Sequence, residues 1–158
     1  VPLMNSGGNV TLPILKLFKR LRIILNHQAR KDFADNLTNN LSVRGNLKGP
    51  ISRLSGGNQQ KVLFAKVLAQ KPKVVLLDEP TKGIDIGAKR EIYKIIKDAA
   101  AKDNITVLVV SSEEEEILTL ADNVLIMKSG KVIGDKINST GLSIIDLRRF
   151  SLVSSGAK

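Results

Sequence analysis

The chain contains 158 residues, 42% hydrophobic and 3% aromatic, with a formal net charge of +10, an isoelectric point near 10.0 and a mean hydropathy of +0.01. This length fits one ordinary domain or a piece of a longer chain, the supply of Leu, Ile and Val excludes a disordered polymer, and the lack of cysteine excludes disulfides and thiolate metal sites, in keeping with a reducing cytosolic compartment. The apolar runs at 74–77, 107–110 and 124–127 are far too short to cross a bilayer, residues 1–10 lack a basic flank followed by an apolar run, and the few aromatic residues leave little for stacking against single-stranded nucleic acid.

The positive charge is concentrated, since residues 1–53 carry nine Lys or Arg against Asp32 and Asp35. Such a segment can face nucleic acid or anionic lipid, but a solvated helix face is the commoner cause. Residues 5–9 (Asn-Ser-Gly-Gly-Asn) read as a loop. Ile14, Leu17, Phe18, Leu21, Ile24 and Leu25 then recur at helical spacing and predict a helix over residues 12–26, with Pro13 suited to its first turn. After a break at 26–28, Phe33, Leu37 and Leu41 predict a second helix over 29–41. His27, the one histidine, falls in this basic part as an exposed structural residue. Residues 42–54, with Gly45, Gly49 and Pro50, read as a connection.

From Ser55 onward the pattern alternates: helix at 57–70, strand at 74–77, helix at 87–101, strand at 105–110. That alternation predicts a parallel sheet with crossover helices. A helix over 113–120 follows, with Ser112 and Glu115 spaced as a capping box. The apolar runs at 124–127 and 132–133 flank Ser129-Gly130 as a hairpin, and residues 143–150 predict a last helix.

Three short stretches carry chemistry. Leu54-Ser-Gly-Gly-Asn-Gln-Gln-Lys61 is a small-residue turn running into a helix whose first N–H groups lack intrahelical partners, an end that attracts phosphate. Gly56 and Gly57 allow close approach of a phosphate to the backbone, and the Ser55 hydroxyl can either donate to a phosphate oxygen or cap the helix. Taken alone, Ser-Gly-Gly before a helix is more often only a cap and turn. Val74-Val-Leu-Leu-Asp-Glu-Pro-Thr81 is a buried strand ending in two carboxylates, with Pro80 withholding the next ladder donor. Read by itself, it is an acidic loop after a core strand. Lys82-Gly-Ile-Asp-Ile-Gly-Ala-Lys89 follows, with Asp85 placed to cap the next helix.

In this order and spacing the three stretches resemble the signature, Walker B and D-loop motifs of ATP-binding-cassette ATPases, over about residues 54–134, and the basic helices before them resemble the end of that family's helical subdomain. The resemblance implies an α/β, partial P-loop NTPase fold, with a mostly parallel sheet, flanking helices and part of the helical subdomain. It divides the chain into helical subdomain and connection at 1–53, cassette core at 54–136 and C-terminal helix and tail at 137–158. It implies ATP and Mg²⁺ as cofactors. Ser55, Gly56, Gly57, Asn58 and Gln59 would contact, in trans, a nucleotide held by a partner cassette. Asp78 would support Mg²⁺ through water, Glu79 would act as the catalytic residue that orients the attacking water, and Asp85 would occupy the D-loop's acidic position.

Two departures narrow the expectation. No Gly-x-x-x-x-Gly-Lys-Ser/Thr occurs in the chain. The main phosphate grip is therefore expected upstream of Val1, and the isolated chain is expected to bind ATP weakly and to be inactive, with an unpaired sheet edge. Where many cassettes place a histidine after the second core strand, this chain has Ser112, which can hydrogen-bond but cannot take a positive charge. These variants resemble the second cassette of tandem importers for monosaccharides and nucleosides. That resemblance implies a peripheral place on the cytoplasmic face of the membrane, with a partner cassette, permease subunits and, indirectly, a solute-binding protein. No nucleic acid is expected as a partner. The rivals are a non-transport cassette protein that binds ribosomes or DNA, favoured only by the high isoelectric point, and an inactive truncated cassette.

Overall fold

The computed structural model describes residues 1–20 and 24–153, and the expected helical positions Leu21 and, beyond the last helix, residues 154–158 lie outside them. The described chain forms two compact units, one of Val1–Val75 with Thr81–Val107, the other of Leu76–Pro80 with the chain from Leu108 onward.

The first unit opens with a helix where a loop was expected. Helix α1 (Ser6–Thr11) is started by Asn5, whose Oδ1 accepts the Gly8 N–H at 2.7 Å. The buried amide of Asn9 donates to the carbonyls of Val1, Met4 and Asn5, so a polar, glycine-bearing segment gains a helix from side-chain hydrogen bonds rather than from propensity. The helix expected over 12–26 does not form. Pro13 has no N–H to continue the ladder, and Leu12–Phe18 tightens into a 3₁₀ helix broken at Ile14 (φ −114°, ψ 17°). Strand β1 (Lys19–Arg20) then pairs antiparallel with β2 (Ile24–Leu25). The apolar residues that mimicked one helical face are spread apart: Ile14 is buried, whereas Leu17 is 76% and Ile24 61% exposed.

Helix α2 (His27–Asn40) follows as expected, capped by Asn26, with Ala34 and Thr38 buried. Phe33 meets Phe18 edge to face, ring centroids 5.5 Å apart. His27 is exposed. Residues 43–50 contain no helix or strand, and a single 3₁₀ turn at Ile51–Arg53 leads into α3 (Gly56–Leu68). Val10, Ile14, Val43, Leu54, Val62, Ala65 and Ala69 form one core, with Phe33, Leu37 and Leu41 packed against it. Val62, 1% exposed, contributes roughly 1.5–3 kcal/mol by its burial. Helix α4 (Ile86–Lys102) starts at its cap Asp85 and buries Ile92, Ile95, Ile96 and Ala99, an i, i+3, i+4, i+7 stripe.

Strands β3 (Val74–Asp78) and β4 (Thr106–Val110) form a two-stranded sheet and contribute residues to both units. The Thr106 N–H donates to the Lys73 carbonyl at 2.9 Å and the Glu79 N–H to the Val110 carbonyl at 2.8 Å, so partners advance together along both strands and the pair is parallel, as the alternation predicted.

In the second unit, Leu76, Leu108 and Val110 are more than half exposed. Helix α5 (Glu114–Leu120) lacks the expected capping box: its cap residue is Glu113, with no side-chain cap bond, and the Glu113 N–H instead reaches Ser111 Oγ at 3.0 Å. Strands β5 (Asn123–Lys128) and β6 (Lys131–Asn138) make the expected antiparallel hairpin, turning through Ser129 (φ 49°) and Gly130 (φ 76°). Helix α6 (Ile144–Val153) is joined to α5 by the Arg148 Nε to Glu114 Oε1 bond at 2.8 Å, which holds the Glu114 carboxyl below the usual carboxylate range.

Candidate functional site

The glycine-rich turn sits where the sequence places it, at the N-terminus of the 13-residue α3. Ser55 occupies the cap position with extended backbone (φ −61°, ψ 155°), yet its hydroxyl caps nothing. Ser55 Oγ accepts the side-chain amide of Asn58 at 2.8 Å, and Asn58 Oδ1 accepts the backbone N–H of Arg44 at 2.7 Å. The Gln59 amide donates back to the Leu54 carbonyl at 2.8 Å, closing the turn from the other side. Ser55 and Gly56 are exposed. The helix start thus presents free N–H groups and a hydroxyl to solvent, where an anion is favoured.

The two glycines differ. A Cβ on Gly56 would meet nothing within 4 Å, so this backbone is open to an approaching group. A Cβ on Gly57 would lie 2.6 Å from the Ala88 Cβ in the first turn of α4. Gly57, read from the sequence as a point of phosphate approach, is buried, and its lack of a side chain lets α3 pack against α4. Asp85 caps α4, its Oδ1 accepting the Ala88 N–H at 2.9 Å.

Lys61 is a participant that the sequence reading passed over. Its side chain is 2% exposed, and its Nζ donates to the Ser42 carbonyl at 2.9 Å and to Glu91 Oε2. A buried ammonium needs such partners. The bond to Lys61, and then its charge, hold the Glu91 carboxyl below the usual range. One side chain therefore ties α3 to α4 and to the turn after α2, where Ser42 adopts φ 51°. Lysine six residues after a serine at the cap position carries no sequence signal for burial, which is why only the structure revealed it.

In the second unit two carboxylates stand at the end of β3, and one of them, Glu79, meets Ser112, the second residue after β4. Asp78 is exposed and Glu79 half-buried. Glu79 has φ 47°, a left-handed backbone that costs a glutamate on the order of 1–3 kcal/mol and persists where surroundings fix it. Its N–H is bonded to Val110, and its Oε1 accepts the backbone N–H of Ser112 at 3.0 Å. Ser112 meets Glu79 through its backbone, not its hydroxyl. A cavity of about 560 Å³ in the first unit, lined by Ser6, His27, Arg30 and Lys48 among others, includes none of residues 55–59.

The family described as ABC transporter matches residues 8–82. The ribose import ATP-binding protein RbsA 2 of Rubrobacter xylanophilus is 49% identical over 128 residues, 80% of this chain and 24% of its own length. The xylose import ATP-binding protein XylG of Pectobacterium atrosepticum is 45% identical over 139 residues, 87% of this chain and 27% of its own. Among solved structures, the dimeric post-hydrolysis state of the ATP-binding cassette MJ0796 bound to ADP and Pi is similar with a TM-score of 0.73 and 26% identity, over 90% of this chain and 60% of that one. The fold is that of an ATP-binding-cassette ATPase, α/β with a parallel strand pair between helices. Residues 8–82 thus carry an ATP-binding-cassette domain, and the similarity to import ATP-binding proteins extends over 80–87% of the chain. It spans about a quarter of the length of the curated relatives it matches.

Proposed function

We propose that these residues work as part of the ATP-binding subunit of an importer for a small sugar such as a pentose, or for a nucleoside, coupling ATP binding and hydrolysis to uptake. The observation that carries this reading is the signature turn, where an exposed serine hydroxyl and an open Gly56 stand at the N-terminus of α3. The relatives' names, ribose and xylose import ATP-binding proteins, support a sugar as the solute. The residues divide functionally into a helical-subdomain part at 1–53, a cassette core at 54–136 and a C-terminal part at 137–158. Partners are a second cassette, membrane-spanning permease subunits and, indirectly, a solute-binding protein, at the cytoplasmic face of the membrane. No helix among the described residues is long and apolar enough to cross that membrane.

The donor set fits Mg-ATP. A cation of this kind takes one or two carboxylates and fills its octahedron with phosphate oxygens and water, and the exposed carboxylate of Asp78 at the end of β3 is a ligand of that type. Asp78 would support it through water. Mg²⁺ there would neutralise charge on the phosphate oxygens.

The chain's own residues then have distinct tasks. Glu79 orients the attacking water through the oxygen that Ser112 does not hold, and Ser112 fixes the other oxygen with its backbone N–H, a contact that needs no histidine. Ser55, Gly56, Asn58 and Gln59 form the surface that closes over ATP held by the partner cassette, with Gly57 seating that surface on α4. Asp85, which holds the start of α4, lies on the segment that runs between cassettes.

The test is uptake of radiolabelled ribose and xylose by membrane vesicles carrying the full-length gene product with its permease. Glu79→Gln should abolish uptake while ATP binding persists. Uptake unchanged in that variant would overturn the reading.

A further inference from the structure

The signature serine faces a choice that its own chemistry leaves open. A hydroxyl has one proton and two lone pairs. It helps to hold a phosphate only when that proton points at a phosphate oxygen, because a phosphate group at neutral pH accepts and does not donate. Ser55 is exposed and caps no helical N–H, so nothing in the helix start fixes its rotor.

Asn58 fixes it from one turn away. The backbone N–H of Arg44 can only donate, so the Asn58 atom facing it, 2.7 Å away, is the carbonyl oxygen. The amide nitrogen is thereby turned toward Ser55, 2.8 Å from Oγ. An amide nitrogen only donates, so Ser55 Oγ is the acceptor in that contact and its proton lies elsewhere. The Arg44 backbone is itself held by the turn whose Ser42 carbonyl receives the buried Lys61 ammonium. Resting on the signature reading above, we propose that Asn58 is a positioning residue: it sets the Ser55 hydroxyl as a hydrogen-bond donor toward the γ-phosphate of the partner cassette's ATP, taking its own orientation from the Arg44 N–H.

The inference gives Asn58, within the surface that closes over ATP, the task of acting through Ser55, and it gives Asn58→Asp a specific consequence. The two side chains have the same shape, and an aspartate still accepts from the Arg44 N–H. It cannot donate to Ser55, so the hydroxyl proton turns to the carboxylate and away from the phosphate. Asparagine to alanine removes the constraint without adding charge.

The experiment is Mg-ATP hydrolysis by the full-length gene product assembled with its partner cassette, as a double-mutant cycle of Ser55→Ala against Asn58→Asp and Asn58→Ala. Ser55→Ala should lower kcat by about 10- to 100-fold, the lower end of and below what loss of one preorganised donor costs. Asn58→Asp should lower it comparably, and Asn58→Ala by less, with melting temperatures unchanged because both bonds are solvent-accessible. In the Ser55→Ala background the Asn58 effects should largely vanish, since the group they act through is gone. If the effects multiply instead, Asn58 acts by charge or local structure and the positioning role is refuted while the signature reading stands. If Ser55→Ala itself leaves kcat unchanged, it is the signature reading that fails.

Discussion

Replacing Gly57 by alanine should destabilise the protein, and the same change at Gly56 should not. In both, the helix gains from the better propensity of alanine, by up to about 1 kcal/mol. At Gly56 the new methyl enters open space. At Gly57 it would stand 2.6 Å from the Ala88 Cβ, where apolar carbons settle at about 3.5–4.0 Å. Neither atom is the end of a flexible side chain, so α3 and α4 must part by roughly 1 Å at their first turns. Overpacking of this kind costs about 1–3 kcal/mol, which exceeds the propensity gain over most of that range. The two variants should therefore differ by about 1–3 kcal/mol in urea unfolding, and by about 2–4 °C in melting temperature for each kcal/mol. Adding Ala88→Gly to Gly57→Ala removes the overlap and should recover the loss, less the up to about 1 kcal/mol that a glycine costs α4. Equal stabilities for the two alanine variants, or no recovery with Ala88→Gly, would show that the α3–α4 contact does not require a glycine.

Three further outcomes follow from the same contacts. Lys61→Met, which keeps length but leaves the Ser42 carbonyl without its donor, should cost about 1–3 kcal/mol in denaturant unfolding. Glu91 is held below its ordinary value of 4.5 by Lys61, so its share of stability is complete above that value and is lost as pH falls through the lower folded-state value; an acid titration of unfolding should be shallower in Glu91→Gln than in the unaltered protein. Ser129→Asn, at a left-handed position before Gly130, should stabilise the β5–β6 hairpin by roughly 0.5–1 kcal/mol, read as slower amide exchange along β5, because asparagine tolerates that backbone better than serine.

The sequence was most legible where local rules and tertiary demands agree. The helix expected over 87–101, the α2 pattern and the Ser129-Gly130 hairpin all formed, and the first of them buries Ile92, Ile95, Ile96 and Ala99 along one stripe. It misled at residues 12–26, where a helical period was present but Pro13 interrupts the ladder and Leu17 and Ile24 face solvent. It also misled at 5–9, where glycines suggested a loop and the buried Asn9 amide supplies the bonds of a helix. For the site, residue types and spacing located the serine–glycine turn and the paired carboxylates. The partners that orient them are backbone groups, the Arg44 N–H for Asn58 and the Ser112 N–H for Glu79, 14 and 33 residues away. Every residue except proline carries such a group, so no sequence pattern could have singled these out.

The central proposal, that the signature serine acts on a nucleotide held by another cassette, is tested most directly by Mg-ATP hydrolysis of the full-length gene product with and without Ser55→Arg, alongside nucleotide binding. Hydrolysis abolished with binding retained is the expected result, because the arginine side chain would fill the space left beside Gly56 without touching the grip on the phosphates. Hydrolysis unchanged in the arginine variant, or vigorous hydrolysis by the 158 residues alone, would contradict it and require another phosphate site.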